Sequence, residues 1–305
     1  MSASGPLDDA ATGRGTGSVA SFGTALAAAM DAHGPLCVGI DPHRALLDSW
    51  GLPDSPRGLR DFALRTVDAV EGEVAAVKPQ SAFFERHGAA GIAVLEETLA
   101  ALRASGTLSI LDVKRGDIGS TMDGYAQAYL ADGAPLAADA ITVSPYLGYG
   151  SLAPALDLAR STGRGVFVLA LTSNPEGAGI QRARMGEGLR SRSVAADIVA
   201  GATRSNAAAR AAGALGNVGL VVGATIGGAV TELDIDLLGA NAPLLAPGVG
   251  AQGAGATELR AVFGAARRHV LASTSRGVLN AGPDPAALRA AARTAAAQAS
   301  LALRG

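Results

Sequence analysis

Past Ser21 the chain alternates between two kinds of segment. Short apolar runs without a period of two, each bounded by Gly, Pro or Asp, recur at Leu36–Asp41, Val74–Pro79, Leu108–Arg115, Ala140–Pro145, Gly165–Ser173, Gly219–Thr225, Pro243–Gly250 and His269–Leu279. Unbroken apolarity of this length marks strands covered on both faces, as in a parallel sheet. Between them, Leu59–Val70, Gly91–Arg103, Met122–Ala131, Leu152–Arg160, Val194–Ala212, Glu258–Arg267 and Pro285–Leu303 carry apolar residues at helical spacing. Strands alternating with helices imply right-handed crossovers. About eight such units over roughly 250 residues is the arithmetic of an α/β fold of the (β/α)8 TIM-barrel type. A doubly wound sheet is the alternative. Two features favour the barrel: no Gly-x-Gly-x-x-Gly follows the first run, and polar residues gather at the C-terminal end of almost every strand, where barrels build their sites. The pattern therefore predicts one catalytic domain over 21–305. The Ser/Gly/Ala-rich stretch 1–20 is expected to be a disordered tail and lacks the apolar core of a secretory signal.

Composition removes several functional classes. Of 305 residues, 49% are hydrophobic and only 4% aromatic, which gives a core of small and branched aliphatics suited to helices on strands. Lys+Arg 25 against Asp+Glu 27 leaves no basic excess for binding nucleic acid. No apolar run reaches the ~20 residues of a membrane span. Cys37 is the only cysteine, so no internal disulfide forms, and a reducing, cytoplasmic setting is expected.

The strand ends carry the candidate chemistry. In Leu111-Asp112-Val113-Lys114-Arg115-Gly116-Asp117, strand alternation puts Asp112 and Lys114 on one face, with Asp117 in the loop beyond. Lys78 ends the preceding strand and Asp41 the first. Alternating signs would keep the lysines protonated and the aspartates ionised, since opposite charges within ~4–6 Å favour the charged forms. A solvated rim would explain any one of these residues. Four ionisable groups on two adjacent inner strands exceed what packing needs. A second cluster has the make-up of an anion site: glycine-rich 246–256 with Gln252, followed by Ser273-Thr274-Ser275-Arg276-Gly277 on the last strand. Loops after strands seven and eight are the usual phosphate grip of such barrels.

Other residues take plainer readings. His33, His43, His87 and His269 have no metal-ligand spacing and read as structural or surface groups. Cys37 reads as a small core residue and Trp50 as packing beneath a loop. Tyr125 and Tyr129, four apart on a helix, are expected in the core or an interface.

These segments together resemble the orotidine 5′-phosphate decarboxylase family, in its longer, actinobacterial-like subgroup. The resemblance runs from about Gly34 to Pro283. It rests on Asp112-x-Lys114-x-x-Asp117-Ile118 with Thr121, Gly39-Ile40-Asp41-Pro42, Lys78-Pro79-Gln80, Thr142-Val143-Ser144-Pro145-Tyr146-Leu147-Gly148, Thr172-Ser173-Asn174-Pro175 and Pro247-Gly248-Val249-Gly250 with Gln252. It implies decarboxylation of orotidine 5′-monophosphate to UMP, with no metal and no other cofactor. Lys78, Asp112, Lys114 and Asp117 would form the charged network, with Lys114 donating the proton to C6. Asp41 would hold a ribose hydroxyl, Gln252, Arg276 and Gly277 the phosphate, and Ser144 the pyrimidine. Asp117 and Thr121 would reach into the neighbouring site of a homodimer. A magnesium-dependent sugar-phosphate decarboxylase or synthase of the same superfamily is the rival, disfavoured because Lys78 stands where those relatives carry an acidic residue. A non-catalytic nucleotide-binding barrel is a second rival. The loop 174–190 is left without a role.

Overall fold

The computed structural model describes residues 21–186, 191–249 and 254–305; the stretches 1–20, 187–190 and 250–253, including Gln252, lie outside them. Eight parallel strands close into a barrel in sequence order. They are β1 Leu36–Ile40, β2 Ala76–Pro79, β3 Leu108–Arg115, β4 Ala140–Val143, β5 Gly165–Leu171, β6 Val218–Val222, β7 Leu244–Pro247 and β8 Val270–Thr274. The main helices are α1 Phe22–His33, α2 Pro56–Val70, α3 Gly88–Ser105, α4 Gly119–Leu130, α5 Ala153–Thr162, α6 Val194–Ser205, α7 Ala256–Phe263 and α8 Pro285–Arg304.

Strand alternation sorts the apolar residues into two cores. Leu36, Val38 and Ile40 of β1 pack with Leu59, Phe62 and Leu288 in the layer between strands and helices. Cys37, Ile110, Phe167, Val221, Leu245 and Leu271 fill the barrel interior. The interior is therefore apolar up to the level of Lys78, Asp112 and Thr142, which occupy the same inward parity one step nearer the C-terminal ends.

The strand–helix rhythm does not predict α1, which precedes the first strand. Phe22, Leu26 and Met30 recur every four residues and join the interior cluster. The Phe22 ring meets Phe167 edge-on at 5.8 Å. The Phe22 N–H donates to Gly163 O at 2.8 Å and Gly23 N–H to Asn217 Oδ1 at 3.0 Å. Those acceptors lie just before β5 and β6, so α1 closes the N-terminal end of the barrel.

Among the boundaries that move, two have clear structural causes. The expected eighth strand, His269–Leu279, stops at Thr274, and Arg276–Leu279 is a helical turn. Trp50 backs that turn: it is buried, stacks at 4.1 Å on Phe62 and donates its indole N–H to Leu279 O at 3.0 Å. The expected helix Val194–Ala212 breaks at Asn206. Its buried amide donates to Val218 O at 2.8 Å and Ala240 O at 3.1 Å and accepts from Val218 N–H at 3.1 Å, tying the helix end to β6. The connection after β5 is structured among its described residues, with a short helix Ala178–Gln181 and a ribbon pairing Arg184–Met185 with Arg192–Ser193. No described helix is long and apolar enough to cross a membrane.

Candidate active site

Asp112 is where the ends of β2, β3 and β4 converge. Its Oδ2 accepts from Lys78 Nζ at 2.8 Å and Gln80 Nε2 at 3.0 Å. Its Oδ1 accepts from Lys114 Nζ at 2.6 Å and Thr142 Oγ1 at 2.7 Å. Asp112 and Lys78 are each only 6% exposed, whereas the Lys114 side chain is 46% exposed and opens toward solvent. Burial alone would push the Asp112 carboxyl up, but the Lys78 and Lys114 ammonium groups outweigh it and hold its pKa well below the usual carboxylate range. Burial alone would pull Lys78 down, but Asp112 and then Asp41 outweigh it and hold its pKa above the usual lysine range. Both groups are ionised at neutral pH.

The contact between Lys114 and Asp112 is the one strand alternation predicts, but the backbone reaches it differently. The β3–β4 register shifts between Leu111 and Arg115, and Lys114 sits in the bulge at φ 46°. A left-handed conformation costs a non-glycine residue about 1–2 kcal/mol and persists where the surroundings hold it. Here the Lys114 N–H donates to Thr142 Oγ1 at 3.0 Å, and Ser144 N–H donates to Arg115 O at 2.7 Å. Gly116 follows because a Cβ there would stand 2.3 Å from Ser144 O. The bulge re-aims Lys114 from the barrel wall into the mouth.

A cavity of about 570 Å³ opens above this cluster, with Leu169, Val221 and Leu245 in its apolar walls. Asp41 lines it, and its Oδ1 is buried without a hydrogen-bond partner among the described residues. An unpaired buried acceptor costs about 1–3 kcal/mol, so it is poised for a ligand hydroxyl. Gly39 makes room beside it, since a Cβ there would fall 2.0 Å from Ser275 Oγ. Arg276 and Gly277 line the β8 side, with Arg276 exposed. Beneath the charged cluster, the Cys37 thiol is pushed up to about 12 by its burial, which suppresses the nucleophilic thiolate.

Lys78, Asp112, Lys114, Asp41, Arg276 and Gly277 thus line one cavity. Asp117, Thr121 and Ser144 do not line it. The Asp117 Oδ1 accepts the N–H of Ile118 at 2.8 Å, and Thr121 is exposed on the first turn of α4. Ser144 lines a neighbouring cavity of about 330 Å³ that shares Leu169 with the first. Gln80, Thr142 and His43 were not among the expected site residues. Gln80 follows Lys78 by two and Thr142 follows inward Ala140 by two, so parity alone could have found them. His43, expected to be a structural or surface group, lines the cavity with its ring 6.2 Å from that of Phe83.

Two ammonium groups thus contact one desolvated carboxylate at the C-terminal mouth of a (β/α)8 barrel, an arrangement typical of enzymes of this fold. The chain belongs to the orotidine 5′-phosphate decarboxylase / HUMPS family, whose family model matches residues 34–291. It is 58% identical to the orotidine 5′-phosphate decarboxylase of Salinispora arenicola over 285 residues, covering 93% of this chain and 99% of that one. Among solved structures it resembles a Streptomyces avermitilis protein described as a candidate orotidine 5′-phosphate decarboxylase, at 53% identity and TM-score 0.88, covering 94% of this chain and 97% of that one. It also resembles the OMP decarboxylase of Leishmania donovani, at 33% identity and TM-score 0.71, covering 93% of this chain and all of that one.

Proposed function

We propose that this chain decarboxylates orotidine 5′-monophosphate to UMP and CO2, a step of pyrimidine biosynthesis, without metal or organic cofactor. The carrying observation is the Asp112 carboxylate held between Lys78 and Lys114. Breaking the bond from C6 to the carboxylate leaves an in-plane electron pair on C6 that the pyrimidine π system cannot absorb. A fixed ammonium at that point stabilises the developing charge, and its proton then closes the new C–H bond. Lys114 fits both tasks, being the more exposed ammonium of the cluster and aimed into the mouth. Its neutral amine regains a proton from solvent. Lys78, Gln80 and Thr142 keep Asp112 fixed while Lys114 works.

The rest of the substrate follows from the cavity walls. Asp41 accepts a ribose hydroxyl, and Arg276 and Gly277 take the phosphate; the family resemblance adds Gln252 to the phosphate and Ser144, which lines the adjoining cavity, to the pyrimidine. A cavity of about 570 Å³ suits one nucleotide. Asp117 and Thr121 serve the neighbouring site of a homodimer. Their placement outside their own cavity supports this, as does the 62% exposure of the adjacent Ile118. The protein acts in the cytoplasm, in keeping with its single cysteine.

The test is direct. Purified protein should convert orotidine 5′-monophosphate to UMP at a rate indifferent to EDTA. Lys114→Ala should keep UMP binding and lose turnover at least about a thousandfold. A near-parental kcat would remove Lys114 from its role. Arg276→Ala should weaken UMP binding by about 10- to 100-fold, read by calorimetry; unchanged affinity would move the phosphate elsewhere.

A further inference from the structure

The residue after the catalytic lysine is cationic yet faces away from the cavity. Arg115 ends β3, does not line the 570 Å³ cavity, and is half-buried behind it. Its Nη2 donates to Glu85 Oε1 at 2.7 Å, and the same oxygen accepts from Ser81 Oγ at 2.6 Å. Ser81 is the residue after Gln80, which itself holds Asp112. On the other side the guanidinium lies 5.6 Å from the Tyr125 ring centroid, with the Tyr129 hydroxyl also beside it. Both tyrosines are on α4, which begins directly after the β3 loop.

One guanidinium therefore ties three pieces together: the β3 end with Lys114, the segment after β2 that continues from Lys78 and Gln80, and the helix after β3. All three flank a bulge whose central residue is left-handed. Such a backbone persists where its surroundings over-determine it, and the Arg115 contacts add to the Lys114 N–H and Ser144 N–H bonds.

We propose that Arg115 is a positioning residue, whose bridge to Glu85 and Ser81 and packing on Tyr125 hold the β3 bulge in the shape that presses the Lys114 ammonium onto Asp112. It touches no substrate and acts through the backbone it anchors. Lysine at this position would keep the charge opposite Glu85 but lose the planar fork that stacks on one partner and bonds another. The inference builds on the decarboxylase reading of the cavity, so the test includes a readout independent of turnover.

Arg115→Gln, Arg115→Lys, Glu85→Gln and the Glu85→Gln/Arg115→Gln double variant are compared with the parent in three measurements. These are kcat and KM for orotidine 5′-monophosphate, hydrogen exchange of the Lys114 and Ser144 amides, and the thermal midpoint. Arg115→Gln should lower kcat by about 30- to 100-fold with KM within about threefold, because a shift of about 1 Å in a reacting group costs that much. The two amides should exchange at least about tenfold faster, with the midpoint little changed. Arg115→Lys should recover part of the loss. The double variant should be no worse than Arg115→Gln, since both single changes cut one link. Parental kcat together with parental exchange would overturn the proposal. So would a fall in kcat matched by lost UMP affinity and a lowered midpoint, which marks general destabilisation. A parent without turnover would defeat the decarboxylase reading, while the exchange comparison would still decide whether Arg115 holds the bulge.

Discussion

Asp112 shows how a charged residue as deeply buried as its partner Lys78 can organise a site. Its four donors come from β2, β3, β4 and the residue after β2, so its removal strands Lys78 in a dry barrel end. Breaking a buried pair by removing one partner costs about 3–5 kcal/mol, because the remaining charge stays desolvated. Asp112→Ala should lose about that much in urea unfolding; a loss below about 1 kcal/mol would contradict the buried-pair account. The same pair sets a pH dependence. The Asp112 pKa is depressed from its ordinary 3.8, so its contribution to stability is present above that value and is lost as pH falls through the lower, folded one. The Lys78 pKa is raised from its ordinary 10.5, so its contribution is complete below that value and is lost as pH rises through the higher, folded one. Folding stability from this pair should therefore be flat between about pH 5 and 9 and fall outside, and Lys78→Met should flatten the alkaline limb in denaturant titrations across pH. Alternation along β3 made the Asp112–Lys114 contact legible in the sequence. The left-handed turn at Lys114 was not, because nothing local marks a strained non-glycine position.

At the scale of elements, the strands were readable because both faces of each are buried, which leaves runs such as Val166–Leu171 without polar interruption. Helix α1 escaped the same logic: it packs its Phe22, Leu26 and Met30 stripe on the end of the barrel rather than on a strand face. Asn206 broke an otherwise continuous helical pattern through bonds to residues 12 and 34 positions away, which no local pattern carries. The placement of α1 at the end opposite the charged mouth separates stability from catalysis. Leu26→Ala should cost about 2–5 kcal/mol in chemical unfolding while leaving kcat at low temperature within about twofold. A large drop in kcat without loss of stability would show that α1 communicates with the site.

For the whole molecule, a barrel mouth with three of the four expected charges in place and Asp117 turned outside it supports the proposal that a second copy completes the site. If so, Lys114→Ala and Asp117→Ala homodimers each lack one group in every site, and mixing them restores up to about a quarter of the sites. Recovery after mixing and subunit exchange is the expected result; none would place Asp117 in its own subunit's chemistry or outside it altogether. What the sequence could not supply here is geometric: which side of a loop faces a partner depends on how α4 leaves β3, not on the motif itself. Beneath all of this lies the claim that Lys114 hands its proton to the carbon that loses CO2. Running the reaction to completion in heavy water and locating the deuterium in the product tests it most directly. The parent should yield UMP labelled at C6, and Lys114→Ala should yield none on the same timescale; labelled UMP formed at the parental rate by that variant would contradict the account.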